Sequence, residues 1–213
     1  VPFQSLEDFK NDIEEATTLG IDHISTYHLT VAQDNPLSPI LPLEEVSVAM
    51  YEWVISYLPS SGCSHYEVSA FSKPGFECQH NLKYWRLNDY LGVGAGAYSY
   101  LRSDRDPWGK HFKNIDSLEE YVSGVNRWGS AIEEEEAISK ETAKKDFLLT
   151  RFRLLEGIPG DEYQERFKES LIKSYSKPIE ELVQEGLLDS HQKVLKLTLR
   201  GLLYLNQVVM RFM

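Results

Sequence analysis

The stretch "LEEVSVAMYEWVISYLPSSGCSHYEVSAF", residues 43–71, constrains the fold most. Val46, Met50, Trp53, Val54 and Tyr57 recur at helical spacing and predict an amphipathic helix over 43–58. The stretch from Pro59 to Gly62 stops it, and 64–71, rich in β-forming residues, reads as a strand. A helix that must bury one stripe, delivered directly into a strand, points to an α/β chain.

The flanking segments extend that pattern. Ser5 is a helix N-cap with Glu7 and Asp8 in the first turn, and Leu6, Phe9, Ile13 and Ala16 continue at helical spacing until Gly20. Next, "IDHISTYHLTV", 21–31, reads as a buried strand. Pro36, Pro39 and Pro42 predict an extended loop, and 89–101 predicts a third strand running into a loop. The order α-β-α-β-loop-β is compatible with right-handed βαβ units in a parallel sheet, in a barrel or in an open layer. Three strands alone leave an edge exposed, which implies further strands before them. The start "VPFQS" fits a chain cut from a longer protein.

Composition changes at about Trp108, so the reading divides the chain into 1–108 and 109–213. Helices are expected over 117–125, 141–155, 161–167 and 178–185, then a turn at Gly186, a hairpin around 190–192 and a last helix from Thr198. Helix, turn, hairpin and helix in this order resemble a small winged-helix module.

The chain has 213 residues and a formal net charge of −11. That surplus argues against a general nucleic-acid binder, whose affinity rests on Lys and Arg at phosphates. The run from Glu133 to Glu136 reads as a solvated loop or helix start. No apolar run approaches the length that spans a membrane. Cys63 and Cys78 form no C-x-x-C pair, so free thiols in a reducing cytoplasm are expected and no metal site, with one oxidisable pair as the alternative.

Three glycines stand at alternate positions, Gly92, Gly94 and Gly96. The spacing is G-x-G-x-G and no helix start follows, unlike a dinucleotide loop; Gly-Lys-Ser/Thr is missing too. Either a strand end packs closely there, or a backbone-lined ligand edge does. No H-x-x-x-H pair exists; His80, beside Asn81 and before Tyr84 and Trp85, is the most suggestive histidine, in an expected polar loop. Glu67 on a predicted strand either faces a site from the strand end or is salt-bridged. No G-x-S-x-G elbow appears.

The phrases "GIDHISTYHLT", "HYEVSAFSKPGFECQHNLKYWRLNDYLGVGAGAYSYL", "QEGLL" and "LKLTLRGLLYLNQVVMRF" resemble the oxygen-independent coproporphyrinogen III oxidase family of radical SAM proteins. "HNLKYW" with "DYLGVGAGA" resembles the branch containing radical SAM haem chaperones. The resemblance implies the last βα units of a partial radical SAM (TIM-like) barrel and a small, mostly helical, winged-helix-like C-terminal domain. It implies S-adenosylmethionine and a 4Fe–4S cluster in the full-length protein, and a tetrapyrrole or haem as partner. The cluster's C-x-x-x-C-x-x-C motif is absent here, so this chain alone is expected to be inactive in S-adenosylmethionine cleavage, its partner being the N-terminal half of the barrel. By resemblance, Tyr27, Thr30 and Tyr98 lie near S-adenosylmethionine, and His80, Asn81, Tyr84 and Trp85 near the tetrapyrrole. The family pattern continues with His-Gly where this chain has Tyr98-Ser99. The rival reading is a winged-helix regulatory or interaction module without catalysis.

Overall fold

A computed structural model describes residues 1–32 and 34–213. These form two compact units: Val1–Cys78 with Leu154–Glu156, and Gln79–Arg153 with Gly157–Met213. Composition had placed a division at about residue 108. The contacts place it after Cys78, because 98–101 pair in register with 110–113 and so join residues on both sides of Trp108 in one sheet.

In the first unit, α1 (Leu6–Thr18) begins at a capping box. The Asp8 amide donates to Ser5 Oγ at 3.1 Å and the Ser5 amide to Asp8 Oδ2 at 2.9 Å. Helix α2 (Glu44–Ser60) carries Pro59 in its last turn, so the helix ends two residues later than the sequence implies. The two helices pack together; Ile13, Val54, Leu58, Cys63 and Phe71 make the core, with Phe9, Ile24, Trp53 and Tyr57 against it.

The strands differ from expectation. The reading of 64–71 as one strand is corrected: it is a hairpin, β2 (Ser64–Glu67) and β3 (Ala70–Ser72), turning at Val68-Ser69 with no glycine, proline or asparagine to signal it. Strand β1 (His23–Ser25) is three residues long rather than 21–31. β3, its partner, has three residues, and β-forming side chains make no strand beyond a partner's end. The expected parallel pairing is also corrected, since the order is β1-β3-β2 with both pairings antiparallel. β1 and β2 therefore run the same way, joined through α2, with the hairpin's return strand between them. Leu154–Glu156 close this sheet: Glu67 bridges Leu154, and the Leu155 amide donates to the Tyr66 carbonyl at 3.1 Å.

The second unit opens with α3 (Gln79–Trp85). An antiparallel meander follows: β4 (Tyr98–Leu101), β5 (Lys110–Asn114) and, after α4 (Leu118–Trp128), β6 (Ile132–Ala137). Of the strand expected over 89–101, only β4 and one bridge, Tyr90 with Tyr100, are formed. The acidic run is an edge strand rather than a loop or helix start. Glu134, Glu135 and Glu136 pair with Lys113, Phe112 and His111, and lysines of β5 reach across to the carboxylates. Charges along an edge also discourage pairing with a further strand.

Helix α5 (Lys140–Arg151) leads into β7 (Ile158–Pro159), α6 (Gly160–Phe167), α7 (Leu171–Ser174) and α8 (Ser176–Gln184). The hairpin β8 (Leu188–His191) and β9 (Val194–Leu197) turns on Gln192 and Lys193, both at positive φ, and pairs in the order β7-β9-β8. Thr198 caps α9 (Leu199–Leu203), and α10 (Leu205–Met210) follows. Phe147, Phe152, Phe167, Leu171, Leu182, Leu195 and Val208 are fully buried, which makes this the larger core.

Candidate functional site

Residues 80–86, expected as a polar loop, lie on or just after α3. The helix gives the phrase "HNLKYW" a spatial order, since residues four apart share a face. His80 and Tyr84 form one such pair, ring centroids 4.9 Å apart and edge to face. Asn81 and Trp85 form the next, and Leu82 is buried beneath. His80 is exposed, while Asn81, Tyr84 and Trp85 are half-buried. The face therefore presents an accessible imidazole beside a phenol ring.

Further rings continue inward from Tyr84. Tyr84 meets Tyr90 at 4.4 Å, Tyr90 meets Tyr100 at 6.4 Å, and Tyr100 meets His111 at 5.5 Å. Burial raises the phenol pKa values of Tyr90 and Tyr100, so both remain protonated near neutrality. The Tyr100 hydroxyl donates to the Trp108 carbonyl at 2.9 Å and accepts from Arg166 Nη2 at 3.0 Å. Arg166 also donates to the Leu87 carbonyl at 3.4 Å, which ties the end of α3 to α6. The Arg153 guanidinium lies 4.8 Å from the Trp85 ring centroid. The indole Nε1–H is buried without an acceptor among the described residues, so packing and this cation hold the ring. Tyr90, Tyr100, Arg153 and Arg166 were not singled out from the sequence. Tyr84, Tyr90 and Tyr100 lie on different segments, so no single periodic pattern groups them, and the arginines arrive from elsewhere in the chain.

The glycine stretch is a closed turn. The Gly92 amide donates to Ser99 Oγ at 2.9 Å, the Gly94 amide to the Tyr121 hydroxyl at 3.1 Å and the Gly96 amide to the Ile115 carbonyl at 2.9 Å. Asn114 Nδ2 donates to the carbonyls of Gly94 and Gly92 at 2.9 and 3.3 Å. These three amides are therefore spent internally, and a phosphate cradle is excluded. A Cβ on Gly92 would stand 2.1 Å from the Tyr98 carbonyl oxygen, so close packing accounts for that glycine. Tyr98 follows at the start of β4, 57% exposed, with Lys113 Nζ 6.0 Å from its ring centroid.

Tyr27 and Thr30 belong to the first unit, exposed and beyond the end of β1. In that unit His23 Nε2 and the Tyr66 hydroxyl are 2.8 Å apart, and the Cys78 amide donates to the same hydroxyl at 3.2 Å. Glu67 is buried at the C-terminal end of β2, beside Tyr51 and Tyr66. Burial raises both phenols, and the Glu67 charge adds to it. Burial also lowers the pKa of His65, which stacks on Phe71 at 4.3 Å.

Cys63 is buried and Cys78 partly so, both as free thiols. Among the described residues no group of three or more His, Cys, Asp or Glu side chains could hold a metal ion. Two separated thiols do not supply the three or four thiolates an iron–sulfur cluster needs, so the residues present do not fit one. No described helix is long and apolar enough to cross a membrane.

Residues 138–204 match the family model of the HemN C-terminal domain. The solved structure of coproporphyrinogen III oxidase (HemN) from Escherichia coli, a radical SAM enzyme, matches the whole chain with a TM-score of 0.76 at 17% identity, covering 52% of that protein. The chain thus has a mixed α/β fold resembling the C-terminal portion of HemN. The chain is also similar to proteins named Heme chaperone HemW. It is 30% identical to the Lactococcus lactis protein over 220 residues, and 30% identical to the Escherichia coli protein over 217. Each alignment covers 100% of this chain but only 56% and 55% of the relative, so the chain spans about half the length of the curated relatives it matches. The resemblance read from the sequence is borne out by these matches.

Proposed function

We propose that this chain is the C-terminal portion of a haem-handling radical SAM protein, and that α3 presents His80 to the iron of a haem it carries as cargo. The observation that carries the reading is the exposed imidazole set edge-on to Tyr84, one helical turn away, on the face leading to the Tyr90 and Tyr100 rings. A neutral imidazole nitrogen is a good ligand for haem iron, and flanking aromatic faces suit a flat macrocycle. Asn81 and Trp85 line the adjacent face. The similarity to haem chaperones favours carriage of haem over oxidation of a porphyrinogen.

Tyr27, Thr30 and Tyr98 are proposed to face S-adenosylmethionine in the longer protein, on the strength of the family resemblance and of their exposed side chains. The same-way run of β1 and β2 through α2 supports reading the first unit as late βα elements of a radical SAM barrel. When bound, the cluster and S-adenosylmethionine together would supply one-electron chemistry. Residues 138–204 are proposed to form a winged-helix-like closing module, supported by the β7-β9-β8 sheet beside α8 and α9.

Absorbance titration with ferric haem tests the reading. The chain should saturate with a shifted Soret band, and His80→Ala should lose that shift while keeping its circular dichroism. A His80→Ala chain with unchanged affinity and spectrum would refute it.

A further inference from the structure

The ring of Trp85 carries a cation, Arg153, whose guanidinium donates no hydrogen bond among the described residues. Arg153 contacts Trp85 through the charge of its guanidinium, 4.8 Å from the ring centroid. That contact uses the cation's charge and leaves the N–H donors, which lie in the guanidinium plane, available. Arg153 has no carboxylate within ion-pairing distance among the described residues. Several cations of the same unit differ: Lys110, Lys113, Lys140 and Lys144 are paired with Asp or Glu, and Arg166 is committed to the Tyr100 hydroxyl and the Leu87 carbonyl. In a chain of net charge −11, leaving a half-buried arginine without a carboxylate is informative. The surrounding field repels any anionic ligand, so such a ligand needs a local cation to hold it.

We propose that Arg153 binds a carboxylate of the ligand carried on α3, its guanidinium fork taking one haem propionate while Trp85 fixes the orientation of the fork. This rests on the haem reading above and adds to it the group that distinguishes a carboxylate-bearing tetrapyrrole from a neutral one. Arg153 is a specificity residue here, and the Trp85 indole against it is its positioning partner. A planar fork that meets a carboxylate with two parallel hydrogen bonds is also something a lysine at this position would not reproduce.

The probes are ferric haem and its dimethyl ester, whose propionates are neutral. Loss of a hydrogen bond between charged groups weakens binding by about tenfold or more. The unaltered chain should therefore bind haem about tenfold tighter than the ester. Arg153→Gln should bind both ligands at the ester's affinity, with the Soret shift retained. Arg153→Lys should fall between, because charge without the fork gives a partial contact, and it supplies the answer if the glutamine variant fails to fold. Arg127→Gln is the control for overall charge: Arg127 lies 4.7 Å from the Trp128 ring on another helix, so its loss should leave the haem preference intact. Equal affinities of the unaltered chain for haem and ester, or an Arg153→Gln chain that keeps the preference, would overturn the proposal and leave His80 ligation standing. A chain that binds neither ligand overturns the haem reading and this inference together.

Discussion

Replacing Gly92 with alanine tests how the glycine turn is built. The added Cβ would lie 2.1 Å from the Tyr98 carbonyl oxygen and 2.8 Å from its carbon, both backbone atoms. Backbone cannot step aside like a side-chain tip, so the turn must move by about 1 Å to restore van der Waals contact. Overpacking of this kind costs about 1–3 kcal/mol. The same shift strains the bond from the Gly92 amide to Ser99 Oγ and the Asn114 bond to the Gly92 carbonyl, each worth about 1 kcal/mol. The expected loss is about 2–4 kcal/mol. Gly129→Ala is the comparison: Gly129 has φ +73° and nothing within 4 Å of a Cβ, so it carries only the left-handed penalty of about 1–2 kcal/mol. Urea unfolding followed by far-ultraviolet circular dichroism and by tryptophan fluorescence measures both variants, the two probes reporting any departure from a single transition between the two units. If Gly92→Ala cost no more than Gly129→Ala, the reading of this glycine as a packing requirement would be wrong.

Burial raises the pKa of Asp146, with His111 opposing and Glu136 adding, so the folded state holds a proton that the unfolded state releases above about 3.8. Stability then falls as pH rises from 3.8 through the raised value, and Asp146→Asn should raise Tm at pH 7 but not at pH 3. Glu169 shows the opposite sign. Hydrogen bonds from Lys140 and Lys144 hold its pKa at about 2, so its contribution is present above about 4.5 and is lost as pH falls towards 2. Glu169→Gln should flatten that part of the acid unfolding curve. The turn at Gln192 and Lys193, with φ of +50° and +65°, should gain about 1 kcal/mol from replacement by Asn-Gly, measured as a higher urea midpoint.

Local rules reached far along this chain, because the information they need is local. The Ser5 cap, Gly20 and Gly186 after helices and the helical apolar spacing mark α1, α2, α4 and the C-terminal helices and hairpin within a few residues. The phrase "HNLKYW" marked the candidate site before any geometry was known, through side-chain identity rather than periodicity. It was misread as a loop because seven residues of α3 offer too little apolar repeat to distinguish a helix.

Strand partners were decided by the tertiary structure. A β-rich stretch does not specify which edge it meets, so 21–31 shrank to the length of β3, and 64–71 folded back on itself where no turn residue announces it. The acidic run became a strand because β5 supplied both the ladder and the lysines that offset its charge. The company of His80 followed the same logic. Helical spacing alone places Tyr84 beside it, whereas Tyr90 and Tyr100, and the Arg153 cation over Trp85, come together only when the meander and α5 pack around α3. Sequence determined the elements and the chemistry they carry. Packing between elements distant in the chain determined which of those groups meet, since the free energy of such contacts depends on surfaces that no local pattern encodes.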